Sequence, residues 1–150
     1  MAVYNSLEEF EIALRVAAAD TLQKEVAEVV KEIMLEEVKE TVLDVYVPKV
    51  YKRRTNDGID DPNMIKVESN DLEIRVFNDA PLNDDYGIND SGYSLSNIIT
   101  TGKGYMFGNG TESYNQPRDF YETTTNKLES TGEHIIALKR GLKNRGFDVK

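Results

Sequence analysis

Residues Leu22 to Val45 read LQKEVAEVVKEIMLEEVKETVLDV. Leu22, Val26, Val29, Val30, Ile33, Met34, Val38, Val42 and Val45 recur three and four positions apart. That spacing puts them on one face of an α-helix. Glu25, Glu28, Lys31, Glu32, Glu36 and Lys39 fall on the opposite side. Upstream, Leu7, Phe10 and Leu14 keep the same spacing, and Ser6 followed by Glu9 fits a capping box. Acidic residues in the first turn suit the helix dipole. The reading is an amphipathic helix of about six turns or more. Asp20 and Thr21, with Gln23, offer a second start signal, so one kinked helix or a short and a long one both fit. Pro48 stops the run, because the residue before a proline is pushed out of the helical region. A stripe this long is mostly core. Such a helix is also too long for the remaining residues to cover easily, and the sharper alternative is that part of it packs on neighbouring subunits.

The chain has 150 residues and a formal net charge of -9. That length suits one domain, residues 1–150. Hydrophobic residues at 39% and aromatics at 9% exceed what a solvated tail carries. With no cysteine there is no disulfide framework and no thiolate metal site. The one histidine, His134, leaves no multi-histidine metal site or serine–histidine triad within the chain. No apolar run approaches the roughly 18 residues that span a bilayer, and the acidic first ten residues lack a secretory-signal pattern. A soluble cytosolic product with no membrane association is expected. The charge is uneven: -7 over residues 1–45, -5 over 46–130 and +3 over 131–150. An acidic first third and a basic tail can attract each other, within one chain or between copies.

Residues 46–78 read as a basic turn and a β-hairpin. Asn56-Asp57-Gly58 is a turn signal. Met64 to Glu68 and Leu72 to Asn78 alternate apolar and polar residues around Ser69-Asn70-Asp71, the pattern of a hairpin with one buried face. Residues 79–116 are dense in Asn, Asp, Gly and Tyr, and are expected to be one long loop. Residues 117–150 return to helix. Pro117 suits a first helical turn. Phe120, Tyr121, Thr124 and Leu128 line one face, and Thr131-Gly132 breaks the run. His134, Ile135, Leu138 and Leu142 form a second stripe, with His134 as a polar surface residue. The fold class is therefore α+β: a long N-terminal amphipathic helix, a small antiparallel sheet with a long Gly/Asn/Tyr-rich loop, and C-terminal helices.

No catalytic constellation emerges. Lys103 between Gly102 and Gly104 lacks the ending of a phosphate loop. Neither Asp57, Asp60 and Asp61 nor Asp79, Asp84, Asp85 and Asp90 match a calcium loop. No enzyme activity, cofactor or metal is expected. Tyr51, Arg53 and Arg54 form the most specific polar group. They either contact an acidic partner surface or nucleic acid, or neutralise the acidic helix beside them.

The order of long helix, basic segment, glycine turn, hairpin, glycine-rich loop and closing helix resembles the tail-completion, or neck, proteins of long-tailed bacteriophages and prophages. The matching pieces are Tyr46-Val-Pro-Lys-Val-Tyr51-Lys-Arg-Arg54, Asn56-Asp57-Gly58-Ile59, Thr101-Gly102-Lys103-Gly104 and Gln116-Pro117-Arg118-Asp119-Phe120. Together they cover roughly residues 20–130. The chain departs from the commoner pattern in its Asp57-Gly58-Ile59-Asp60-Asp61-Pro62 turn and in the length of the loop over 79–116.

The resemblance implies a structural virion component at the head–tail junction, made in the host cytoplasm. It implies a homo-oligomeric ring of about six copies with a heterologous interface. The neighbours would be connector, tail-terminator or tail-tube proteins, and DNA would pass through the ring without specific binding. The residues expected at subunit or partner interfaces are Tyr51, Arg53, Arg54, Tyr105, Met106, Phe107, Arg118 and Phe120. Tyr51, Arg53, Arg54 and the loop around Met106 are expected to serve assembly rather than monomer folding. Two other classes stay open: a soluble interaction or regulatory module that dimerises through its long helix, and an enzyme of unrecognised type.

Overall fold

The computed structural model describes residues 2–48, 53–82, 94–104 and 116–150. Ser6 opens the first helix, its side chain accepting from the Glu9 N–H at 3.1 Å. Glu9 reaches back to the Asn5 N–H at 2.8 Å. Helix α1 (Leu7–Thr21) runs into a π-helical turn, Leu22–Val26. Helix α2 (Ala27–Glu37) follows and ends in a second π turn, Val38–Leu43. The junction residues Thr21, Leu22, Val26 and Ala27 keep right-handed helical angles. The start signal at Asp20 and Thr21 is thus a wide turn inside one continuous helix.

Residues Pro62–Met64 form a 3₁₀ turn leading into strand β1 (Ile65–Asn70), which pairs antiparallel with β2 (Glu73–Asn78). Val67 faces Val76 and Ser69 faces Ile74 across the ladder. The hairpin lies where the alternation put it, and Asp71 turns the chain with φ +55°, a conformation aspartate tolerates better than most residues.

The region expected to be one long loop contains helix α3 (Leu95–Thr101), capped by Ser94 and closed by left-handed Gly102. Its Ser96, Ile98 and Ile99 are buried. Helix α4 (Phe120–Thr131) starts three residues later than Pro117 suggests. Asp119 is its cap, accepting from the Tyr121 and Glu122 N–H groups at 3.1 Å each. Pro117 sits in the lead-in, where the Arg118 N–H pairs with the Ile99 carbonyl at 3.0 Å. Gly132, at φ +67°, separates α4 from helix α5 (Glu133–Asn144).

Met34, Val38, Val42, Ile59, Ile65, Ala80, Ile99 and Phe120 make the main core. Helix α4 lies along α2, fastened by Lys127, whose ammonium is 3.2 Å from Glu36 and 3.4 Å from Glu37. The apolar stripe of α2 and its π turn is covered by the chain itself: Ile33, Met34, Val38 and Val42 are all buried. The reading of the stripe as core holds for these four residues, while Val45 at its end is 49% exposed. Large exposed apolar side chains sit on and near α1, on α5, just past the second π turn at Val45 and Val47, and at Leu72 of the hairpin turn.

Helix α5 packs on α1 and the first π turn. Its buried face holds Ala137, Gly141 and Leu142. His134 is half-buried there rather than on the surface, and Ile135 points out at 49% exposure. The stripe is rotated because small residues let the helices approach closely. A Cβ at Gly141 would lie 2.3 Å from Thr21 Cγ2, and Thr21 is itself fully buried, donating to the Ala17 carbonyl at 2.7 Å. Arg145 locks the end of α5. Its Nε is 2.9 Å from Asp20 and its Nη1 is 2.8 Å from Glu25. Tyr4, Phe10 and Phe147 cluster at the far end, with ring centroids 5.3–6.3 Å apart.

Two predictions come from this packing. Gly141→Ala should destabilise by about 1–3 kcal/mol through overpacking, although alanine is the better helix former. Adding Thr21→Ala should recover most of the loss, and chemical denaturation of the two variants reads it. The second concerns pH. Lys24 and Arg145 hold the Asp20 carboxyl below its ordinary value, and Arg145 does the same for Glu25. Carboxylates depressed in the folded state stabilise above their unfolded values, and that contribution fades as pH falls through the folded ones. Arg145→Gln should therefore cost stability at about pH 7 and much less at about pH 3. A penalty constant across that range would assign Arg145 a packing role instead.

Candidate functional site

The second π turn ends beside the core with backbone carbonyls still to be paired. Arg53 Nη2 donates to the Leu43 and Tyr46 carbonyls, each at 2.6 Å. Arg118 Nη1 donates to the Val42 carbonyl at 3.1 Å. Both guanidiniums also lie over the Tyr46 ring, at 5.1 Å and 5.0 Å from its centroid. Cation–π attraction and the negative end of the helix dipole thus act together. The result is a clamp: one arginine from the segment after the helix, one from the segment before α4, and a tyrosine between them.

Of the residues expected at interfaces, the structure brings Arg53 and Arg118 together here. Arg118 is buried, and Phe120, two positions on, is fully buried in the core. Neither of these side chains has a surface to present to another subunit. Arg54 stands apart, its Nη2 2.6 Å from the Pro81 carbonyl. Tyr51, Tyr105, Met106 and Phe107 lie outside the described residues. The platform residue Tyr46 carried no assignment in the sequence reading. An aromatic just past a helix end and just before a basic run is the signal that could have marked it.

In the 57–61 turn, the carboxylate of Asp61 is engaged in local structure. Asp61 accepts from the Asp57 and Asn63 N–H groups at 2.9 Å each, and these N–H groups hold its carboxyl below the usual value. Gly58 and buried Ile59 follow, and Asn78 donates to the Ile59 carbonyl at 2.7 Å. Among the described residues no group of three or more His, Asp or Glu side chains is placed to hold a metal ion. A recess of about 240 Å³ opens between the long helix, β2, α4 and α5. Val30, Ile74, Tyr121, Thr124, Leu128 and His134 are among its lining residues. His134 Nδ1 is buried without a hydrogen-bond partner among the described residues.

Arg53→Gln should lower stability by about 1–3 kcal/mol, because the Leu43 and Tyr46 carbonyls lose a charged donor. A melting point unchanged from the wild type would release Arg53 from this role.

The family described as YomN matches residues 6–144. No curated protein and no solved structure matches the chain. The chain belongs to the YomN family, a phage- and prophage-associated family.

Proposed function

We propose that the chain is a structural virion component of a tailed bacteriophage: a tail-completion or neck protein that assembles as a ring at the head–tail junction. Membership of a phage-associated family supports a viral role. The observation that carries the reading is the placement of exposed large apolar residues on two separate helices. Ile12 and Val16 on α1 are 59% and 64% exposed, and Ile135 and Ile136 on α5 are 49% and 60% exposed. A subunit with two unlike adhesive faces suits an assembly that closes head to tail. The dimeric-module reading is weaker, because the stripe through which such a helix would pair is occupied within the chain.

In this role the protein performs no chemistry and needs no cofactor. Its partners are further copies of itself and the connector, terminator or tube proteins above and below. DNA crosses the ring without specific binding, and the net charge of -9 keeps phosphate from adhering to the wall.

The test is made on purified particles of a phage that encodes this chain. The protein should be detected in intact virions, and labelling should place it at the head–tail junction. Particles made without it should accumulate as separate heads and tails. Absence from purified virions, with normal joining when the protein is deleted, would overturn the proposal.

A further inference from the structure

The two exposed helix faces are chemically complementary. Around α1, Glu8 and Glu9 stand four and three residues before Ile12, Val16 stands four after it, and all are exposed. Around α5, the pairs Ile135–Ile136 and Lys139–Arg140 stand four residues apart, Lys143 follows one turn on, and all are exposed. One face is apolar with carboxylates and also carries Arg15, whose charge is met by Asp71 of the hairpin turn; the other is apolar with bases. Among the described residues Glu8, Glu9, Lys139, Arg140 and Lys143 form no ion pair, whereas Arg15, Asp20, Glu25 and Arg145 are each engaged within the chain.

The two faces also point in different directions. Phe10, Ala17 and Thr21 mark the side of α1 turned toward α5. Ile12 and Val16 each stand five residues before one of the last two, about 140° round the helix at 3.6 residues per turn. On α5, Gly141 and Arg145 mark the side turned toward α1 and the first π turn. Lys139 and Lys143 each stand two residues before one of these, about 160° away round the helix. The acidic and basic faces therefore lie on opposite outer sides of the α1–α5 pair. One chain cannot close them on itself, and a two-fold dimer cannot easily use both.

We infer that the outer face of α5 docks on the outer face of α1 of a second copy of this chain, so that each subunit donates one face and receives through the other. This rests on the ring reading above and assigns the surfaces that would build it. A single pair of helices of 12 and 15 residues is small beside the roughly 1,200–2,000 Å² of a stable interface. Each contact should therefore be weak alone and gain strength when a ring closes on itself. The charge component makes association weaken with added salt.

The test uses the full chain and analytical ultracentrifugation. The wild type should self-associate in a concentration-dependent way, less at high salt. The triple variant K139E/R140E/K143E should remain monomeric, and so should E8K/E9K. Mixing the two variants should restore association, because each reversed face then meets its reversed counterpart. The five changes combined in one chain should restore it as well. Recovery in the mixture and in the combined variant supports the inference and is not explained by misfolding. Self-association that persists in both single-face variants overturns the inference, and leaves the ring reading to the virion test. A wild type that stays monomeric at every concentration and salt level, or a mixture that fails to recover, also overturns it.

Discussion

A helix that ends against its own core leaves its last carbonyls out of reach of water, and each needs a donor. Much of this fold follows from meeting that need at the end of the long helix. Arg53 returns from the segment after the helix and Arg118 arrives from the segment before α4. Both converge on the face of Tyr46. Once Arg118 is fixed, its own N–H meets the α3 carbonyl of Ile99, and Phe120 enters the core between the helices and the hairpin. One electrostatic requirement thus registers the helix end, the segment that follows it, α3 and the distant lead-in to α4.

The other end of the molecule is held differently. There α5 meets α1 through small residues, and the contact depends on the absence of a side chain at Gly141. Arg145 secures it with two carboxylates contributed by α1 and the first π turn. The hairpin tip is tied down as well, by an ion pair between Arg15 and Asp71. The basic charge of the C-terminal segment therefore divides into two uses. Arg145 is committed internally, while Lys139, Arg140 and Lys143 remain exposed.

What could be read from the sequence was what local spacing encodes. The helix start at Ser6, the alternation of the hairpin and the break at Gly132 are all local signals, and the structure has each. Helix α3 escaped because its seven residues, mostly Ser, Asn and Thr around two isoleucines, carry a cap and a glycine stop but almost no period. The start of α4 was misplaced because proline at a helix entrance is a weaker marker than the carboxylate of Asp119. The burial of Arg118 was illegible for a deeper reason. Arginines look like surface charge until the carbonyls that need them are known, and those lie 76 positions away. Within the α5 stripe Leu142 is buried and His134 and Leu138 are half-buried, but Ile135 was misplaced, because a pattern of large residues does not reveal that glycine and alanine share the packed side.

The π turns have a consequence for how this helix tolerates changes in length. In the first, the Ala27 N–H reaches back five residues to the Leu22 carbonyl; in the second, the Asp44 N–H reaches the Lys39 carbonyl. Each such turn accommodates one residue more than an α-turn does. It acts as a phase adjuster, absorbing about 100° of rotation so that the faces on either side each meet their own partners. Losing one residue between Leu22 and Val26 would straighten the turn to ordinary α-helix and preserve every upstream hydrogen bond. It would also leave α1 in the same phase about its axis, with Phe10, Ala17 and Thr21 still turned toward α5. Length and phase are thus uncoupled at this point of the helix: one residue can be lost inside the turn without unseating the C-terminal helix, whereas a loss elsewhere in α1 would rotate every residue before it by about 100°.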